Sequence, residues 1–235
     1  MGAVDGIVVV DKPVGWSSMD VVRKVRGALG RSVGRPAGGG KRWKVGHAGT
    51  LDPLASGVVV VCIGKATAKV AEVMGQTKVY EAAVDLSAFT ATDDREAPPE
   101  VVALDGPPPD AARVRAALGR FEGEVTQTPP AFSAVHVEGR RAYELARQGR
   151  EVALAARVVR IDAVDLLDYA WPIATLRVTC GKGTYIRSLA RDLGVALGTG
   201  GHLAALRRTA VGPYMVKDAV PGERLLEGFD AAWLR

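Results

Sequence analysis

The stretch GHAGTLDPLASG, Gly46 to Gly57, places one carboxylate, Asp52, among three glycines and directly before Pro53. A following proline disfavours the helical region, so Asp52 is expected to have an extended backbone. The apolar run VVVVCIG at 58–64 comes next and is typical of a buried strand. A carboxylate fixed on such a support suits either a turn or a reactive group that meets a substrate, and the local sequence leaves both interpretations open.

The segments around this stretch predict strands and helices in irregular order. A helix is expected after Ser17, with Asp20 completing a capping box and Gly30 ending it. The polar, proline-rich segment 87–109 is expected on the surface. Further strands are predicted near 6–13, 78–86, 158–169 and 173–180, and further helices from Asp110 and over 185–197. Because strict βαβ alternation is missing, this order favours an α/β protein of the α+β type with a mostly antiparallel or mixed sheet.

Composition limits the class of protein. The chain has 235 residues, of which 48% are hydrophobic and 24% charged, which indicates a globular protein. No apolar run approaches the ~20 residues of a membrane span, and the N-terminus lacks the zones of a signal peptide, so a cytoplasmic protein is expected. The net charge of +5 and the isoelectric point near 9.4 favour a polyanionic partner such as nucleic acid.

Two kinds of site are disfavoured by the pattern of residues. The two cysteines and three histidines show no metal-ligand spacing, so no metal site is expected. The glycine-rich basic loop at 31–44 fails the phosphate-loop pattern, because Arg35 replaces the first glycine and Arg42 follows Lys41 where Ser or Thr is required. The sequence therefore excludes a nucleoside-triphosphate site of that type.

Six segments together resemble the TruB family of tRNA pseudouridine synthases. The matches run in the family's order: VVVDKPVGWSS (8–18), KVGHAGTLDPLASGVVVVCIGKAT (44–67), KVYEAAVDL (78–86), TPPAFSAVHVEGRRAYELARQG (128–149), GTYIRSLARDLG (183–194) and HLAALRRTAVG (202–212). The resemblance implies a pseudouridine synthase core with a long mixed, largely antiparallel sheet, flanking helices and a central active-site cleft. It implies a catalytic domain over 1–212 with a thumb-like RNA-binding segment at about 127–150. Bacterial members of the family usually continue into a PUA-type domain; here the sequence departs from that pattern, because the short tail over 213–235 is too small for a separate domain.

The resemblance also assigns three catalytic residues. Asp52 is the catalytic carboxylate, Arg187 is its cationic partner, and Tyr80 stacks on the extruded base. Each has a simpler alternative: Asp52 can shape a turn, Arg187 can be a surface cation of a helix, and Tyr80 can pack in the core.

Further residues are expected to bind the RNA. The predicted substrate-binding residues are His47, Tyr185, Leu206 and Lys78. The candidates for contacts with the RNA backbone are Lys41, Arg42, Arg140, Arg141, Arg207 and Arg208, each of which could instead be a solvated charge. His136 occupies the position where the thumb usually has a lysine, so a contact there would lose its fixed charge.

The function implied by the resemblance is isomerisation of uridine to pseudouridine in the T loop of tRNA. No cofactor is expected, because nothing is oxidised. The expected partner is the T arm of tRNA, with no membrane and no obligate protein partner, and a monomer is the default. Two alternatives stay open: modification of another RNA hairpin, and an RNA-binding tRNA chaperone in which catalysis is incidental.

Overall fold

The computed structural model describes residues 4–36, 42–133, 136–137, 140–143, 148 and 154–235. Within them the strands are β1 (Gly6–Lys12), β2 (Val45–His47), β3 (Ser56–Ile63), β4 (Lys78–Asp85), β5 (Ala88–Thr90), β6 (Pro99–Val101), β7 (Gly123–Gln127), β8 (His136–Val137), β9 (Arg140–Arg141), β10 (Arg157–Ala170), β11 (Ile173–Cys180), β12 (His202–Val211), β13 (Tyr214–Met215) and β14 (Val220–Pro221). The α-helices are α1 (Ser18–Ser32), α2 (Val70–Gly75), α3 (Ala111–Leu118) and α4 (Ile186–Leu197).

The chain divides into two compact units. The first comprises 1–80 and 206–235, and the second comprises 81–205. None of the helices in the described ranges is long and apolar enough to cross a membrane.

The first unit is built on the apolar run that follows the Asp52 loop. Strand β3 pairs antiparallel with β1 and β2 and parallel with β12, while β14 pairs parallel with β1. All residues from Gly57 to Ile63 are buried, as expected for an inner strand covered on both faces. Parallel and antiparallel pairs thus occur together, and the predicted mixed sheet is confirmed.

Helix α1 packs its apolar face into the same unit. Ser17 and Asp20 form the predicted capping box, with Ser17 N donating to Asp20 Oδ2 at 2.9 Å and Asp20 N to Ser17 Oγ at 3.1 Å. The predicted end at Gly30 is wrong, because the helix continues to Ser32. Just beyond its end, the amides of Val33 and Gly34 both donate to the carbonyl of Leu29, and Gly34 adopts a left-handed φ of 84° that turns the chain away from the helix.

The second unit is largely antiparallel. Its longest strand, β10, pairs with β11 on one side and with β7 on the other. Helices α3 and α4 pack against each other in this unit. The structure also corrects the expectation for 87–109: part of this segment forms β5 and β6, and Thr90, Asp93 and Asp94 are buried rather than on the surface.

Candidate active site

Asp52 lies in the loop between β2 and β3, half-buried between the buried side chains of Leu51 and Leu54. The amide of Ala55 donates to the carbonyl of Asp52 at 3.1 Å, which closes a turn over the aspartate. Ser18, at the start of α1, binds both backbone groups of Leu51: its hydroxyl accepts from the amide at 2.8 Å and lies 3.2 Å from the carbonyl. The turn predicted for this stretch is therefore present, and the backbone beside Asp52 is fixed.

Lys12 holds the other end of this loop. Its side chain is completely buried, and its ammonium donates to the carbonyls of Pro13, Trp16 and Ala55 at 2.9, 2.6 and 2.5 Å. Burial lowers the pKa of Lys12 from 10.5 to about 8, and the negative charge of Asp52 acts against that shift. A cation is thus placed within electrostatic range of Asp52 by contacts that also shape its loop.

Arg208, predicted to contact the RNA backbone, is a third support of the loop. It is 1% exposed, and its guanidinium donates to the carbonyls of Val58, Thr50 and Gly49 at 2.7, 3.1 and 3.2 Å. A buried guanidinium that binds three carbonyls does not face an RNA phosphate in this structure. The sequence patterns gave no signal for this role, because two adjacent arginines are typical of a basic surface cluster.

The neighbouring Arg207 is also engaged within the first unit. It forms a bidentate ion pair with Asp11, with nitrogen–oxygen distances of 3.2 and 2.7 Å. It also donates to the hydroxyl of Ser56 at 3.1 Å. Its side chain is 40% exposed. A phosphate contact by Arg207 would therefore have to compete with, or be shared with, an existing carboxylate partner.

The first unit holds four more of the predicted residues: His47, Lys78, Tyr80 and Leu206. Tyr80 and Leu206 are buried, each about one-tenth exposed, and His47 is half-buried. Burial, followed by the charge of Arg208, lowers the pKa of His47 below its ordinary value of 6.5. This environment favours the neutral form of His47, which fits a binding role.

Lys78 is the predicted substrate-binding residue with a cationic side chain, and that side chain is engaged within the first unit. It is buried, and its ammonium donates to the carbonyls of Met74 and Gln76 at the end of α2. A cation at the carboxyl end of a helix interacts favourably with its unsatisfied carbonyls. These contacts give Lys78 a structural role beside the predicted one.

Arg187 lies in the first turn of α4 in the second unit and is not a surface cation. Its side chain is 7% exposed and lies 3.5 Å from the carboxylate of Asp94, which is itself 2% exposed. Its guanidinium also donates to the carbonyls of Thr92 and Phe132 at 3.2 and 3.0 Å. Sequence reasoning missed Asp94, although two adjacent acids in the segment at 87–109 were visible, because nothing local predicted their burial.

Tyr185 precedes Arg187 and is positioned through its backbone. The side-chain amide of Gln127 donates to the carbonyl of Tyr185 at 3.0 Å and accepts from its N–H at 2.8 Å. The guanidinium of Arg157 lies 4.9 Å from the centre of the tyrosine ring, within cation–π range. Arg157 also donates to the carbonyl of Gly183 at 2.8 Å, so the turn before α4 is held at several points.

The remaining basic candidates are only partly described. Arg42 is exposed, whereas Lys41 lies outside the described residues. Arg140 and Arg141 form β9, which pairs with β8 at His136 and Val137, but their side chains lie outside the description. RNA contacts by these residues stay predictions.

Among the predicted site residues, Asp52, His47, Lys78, Tyr80 and Leu206 belong to the first unit, and Arg187 and Tyr185 to the second. The pairing of Asp52 with Arg187 therefore stays a prediction from the resemblance. In the part of the chain that the structure describes, no group of three or more His, Cys, Asp or Glu side chains is placed to hold a metal ion.

Family profiles and proteins of similar sequence match most of this chain. Residues 39–186 match the profile described as TruB family pseudouridylate synthase (N terminal domain), and residues 187–233 match the tRNA pseudouridylate synthase B C-terminal domain. The tRNA pseudouridine synthase B of Phocaeicola vulgatus is 45% identical over 222 residues, which cover 94% of this chain and 91% of that protein. The protein of the same name from Thermobifida fusca is 47% identical over 236 residues, covering 96% and 75%.

Solved structures give the same result for the fold. A chain in a Cbf5-Nop10-Gar1 complex superposes with a TM-score of 0.67 at 29% identity, and a chain in an H/ACA RNP bound to a substrate RNA containing 2′-deoxyuridine superposes with 0.66 at 26%. These matches cover 92% and 94% of this chain but only 52% of the matched chains, so it spans about half of their length. The family profiles and the relatives of similar length together show that this chain belongs to the TruB family of pseudouridylate synthases.

Proposed function

We propose that this chain isomerises uridine to pseudouridine in the T loop of tRNA, with Asp52 as the catalytic carboxylate. The proposal rests above all on how the Asp52 loop is built. Three buried side chains, Lys12, Ser18 and Arg208, bind the backbone on both sides of one half-buried carboxylate. A reactive group needs such support, because small errors in position cost large factors in rate. The names of the relatives support tRNA as the substrate.

The reaction is an isomerisation, and its atoms balance within the substrate. The bond between uracil N1 and ribose C1′ breaks, the base turns, and a bond between C5 and C1′ forms. The proton leaves C5, and N1 gains one. Asp52 starts the reaction in its ionised form by one of two routes. It attacks C1′ and forms an ester bond that breaks when C5 bonds to C1′, or it removes the C2′ proton and returns that proton to C2′ when the new bond forms. Either role needs a carboxylate held against the ribose and no oxidant or reductant.

Access to the target uridine requires extrusion of the base from the loop. Unstacking costs a few kcal/mol, and a protein aromatic ring that stacks on the base returns about 1–3 kcal/mol. We assign this stacking to Tyr80, with Tyr185 and Leu206 lining the uracil site. A neutral His47 is suited to accept or donate a single hydrogen bond beside the opened loop.

Arg187 is proposed as the cation that partners Asp52 during the reaction. The resemblance assigns this role, and the contacts of Arg187 with Asp94, Thr92 and Phe132 support it, because they hold the guanidinium in one orientation. A guanidinium held rigidly by buried acceptors keeps its planar array of N–H donors in a fixed direction.

The experiment maps the product on different RNAs. Purified protein is incubated with a tRNA T-arm stem-loop and with an unrelated hairpin, and pseudouridine is located by chemical adduct formation and primer extension. Product at the T-loop uridine with wild type, and none with Asp52→Asn, is expected. Asp165→Asn changes an exposed acid on β10 and serves as the control that retains activity.

Two outcomes would contradict the proposal in different ways. Product on the unrelated hairpin alone would overturn the assignment of substrate and would favour another RNA. Tight RNA binding without product on any RNA would overturn the enzyme assignment and would favour the chaperone alternative.

A further inference from the structure

Helix α4 carries two arginines one turn apart, Arg187 and Arg191, and both bridge the same two segments of the second unit. Arg187 donates to the carbonyls of Thr92 and Phe132. Arg191 forms a 2.7 Å ion pair with Asp93 and donates to the carbonyl of Thr128 at 3.0 Å. Each guanidinium therefore ties the segment at 92–94 and the segment at 128–132 to the same helix.

Asp93 has an uncommon backbone conformation. Its φ is 58°, in the left-handed region where Asn and Asp are the most common residues after glycine. Its amide donates to the carbonyl of Thr90, and its carbonyl accepts from Leu203. Its side chain is only 13% exposed, and burial raises the pKa of Asp93 while the charges of Arg191 and Arg187 oppose that shift. Asp93 is thus a buried carboxylate in an uncommon backbone conformation, and it forms an ion pair with Arg191.

The other segment, 128–132, follows β7 directly and forms the first part of the predicted thumb. The carbonyl of Thr128 accepts from the hydroxyl of Ser188 at 2.8 Å as well as from Arg191. Pro129 and Pro130 follow, and each fixes its own φ, so this part of the chain is stiff. A displacement at Thr128 would therefore be transmitted to Phe132, whose carbonyl binds Arg187.

We propose that Arg191 and Asp93 form a latch that positions Arg187 for the reaction. The latch acts through Arg187 and is not itself a catalytic group. It orients the guanidinium by fixing the two segments whose carbonyls that guanidinium binds. This inference rests on the proposed function, in which Arg187 serves catalysis, and extends it to a pair of residues for which the sequence predicted no role.

Four variants test the latch. Asp93→Asn removes the charge and keeps a residue that tolerates a positive φ, so backbone strain is not introduced. Arg191→Gln removes the cation, and the double variant tests coupling. Arg191→Lys keeps the charge but lacks the planar fork that spans Asp93 and Thr128. Arg177→Gln is the matched control, because it breaks a 3.7 Å pair with Glu81 in which both side chains are about half-exposed.

The readouts separate positioning from folding and from RNA binding. The single-turnover rate of pseudouridine formation and the Kd for the T-arm stem-loop are measured for each protein. Hydrogen exchange of the amides of Arg95 and Glu96 reports on the segment itself, since these amides donate to the carbonyl of Leu203 and to the carboxylate of Asp94.

The latch predicts a specific pattern. Asp93→Asn, Arg191→Gln and Arg191→Lys each slow the single-turnover step by about 10–100-fold, while the Kd stays within about threefold. The double variant is no slower than Arg191→Gln alone, because Arg191→Gln already breaks the ion pair that Asp93→Asn weakens, along with the contacts of Arg191 with Thr128 and Asp192. Exchange at Arg95 and Glu96 becomes faster in the Asp93→Asn and Arg191→Gln variants, and Arg177→Gln matches wild type in every readout.

Results that contradict the latch differ from results that contradict the proposed function. Latch variants with the wild-type rate, with unchanged exchange, or with a loss of affinity equal to the loss of rate would overturn the inference and leave the proposed function intact. A wild-type protein that forms no pseudouridine on any RNA would overturn the proposed function itself.

Discussion

The ammonium of Lys12 lies 2.5 Å from the carbonyl oxygen of Ala55, which closes the turn that carries Asp52. The two residues are 43 positions apart in the chain. One buried lysine thereby joins the strand β1 to the loop that precedes β3. This contact places a cation near the proposed catalytic carboxylate and also gives the loop its shape.

The lowered pKa of Lys12 predicts a pH dependence of stability. Between its folded value of about 8 and its ordinary value of 10.5, the unfolded chain binds more protons at this residue than the folded one. The contribution of Lys12 to the free energy of unfolding therefore rises with pH across this window. Urea unfolding at several pH values should show this rise in wild type and lack it in Lys12→Met. A parallel pH dependence in the two proteins would contradict the burial of a charged Lys12.

Arg208 is predicted to support the Asp52 loop and not to contact RNA. Arg208→Gln leaves carbonyls of Gly49, Thr50 and Val58 without their donor and should lower the free energy of unfolding by about 2–4 kcal/mol. The slope of log Kd for tRNA against log salt should not change. A true phosphate contact would reduce that slope by about one unit, and the exposed Arg42 in Arg42→Gln is the comparison. A reduced slope for Arg208→Gln would contradict the structural role.

Asp94 is predicted to be required for the function of Arg187. Asp94→Asn keeps an oxygen for the hydroxyl of Thr92 and the amide of Glu96 but removes the charge that faces Arg187. Breaking one side of a buried ion pair costs about 3–5 kcal/mol, so both stability and rate should fall. Thermal unfolding and single-turnover assays measure the two effects. Wild-type stability and a wild-type single-turnover rate in Asp94→Asn would show that the ion pair of Arg187 and Asp94 has no role.

His47 is predicted to titrate below the ordinary histidine pKa of 6.5, because burial and the charge of Arg208 both disfavour its cationic form. Protonation of His47 therefore opposes folding, and its contribution to stability is lost as the pH falls below 6.5. Proton NMR titration of the three histidines, assigned with a His47→Gln variant, checks this. A pKa at or above 6.5 for His47 would contradict the environment described.

Local signals predicted the parts of the fold that depend on short stretches of chain. The capping box of Ser17 and Asp20, the buried strand after Asp52 and the alternation in β4 could all be read from neighbouring residues. The helix end was misplaced at Gly30 because glycine can lie within a helix at modest cost. Only the left-handed backbone of Gly34 marks the true end.

The residues that support the site could not be predicted in the same way. Lys12, Asp94 and Arg208 bind partners that are distant in sequence or buried by other segments. A charge in a polar, proline-rich stretch or beside another arginine is usually solvated, and that expectation failed for Asp94 and Arg208. Tertiary packing, which no local pattern reports, decided both cases.

The central claim, that Asp52 performs the chemistry, is tested most directly by the single-turnover rate of Asp52→Asn on a T-arm stem-loop that carries tritium at C5 of the uridine. The substitution keeps the size of the side chain and removes the ionised oxygen that starts the reaction. The account predicts that tritium release falls by at least about 10³-fold while the Kd for the RNA stays within about threefold. Release within about tenfold of the wild-type rate would contradict it.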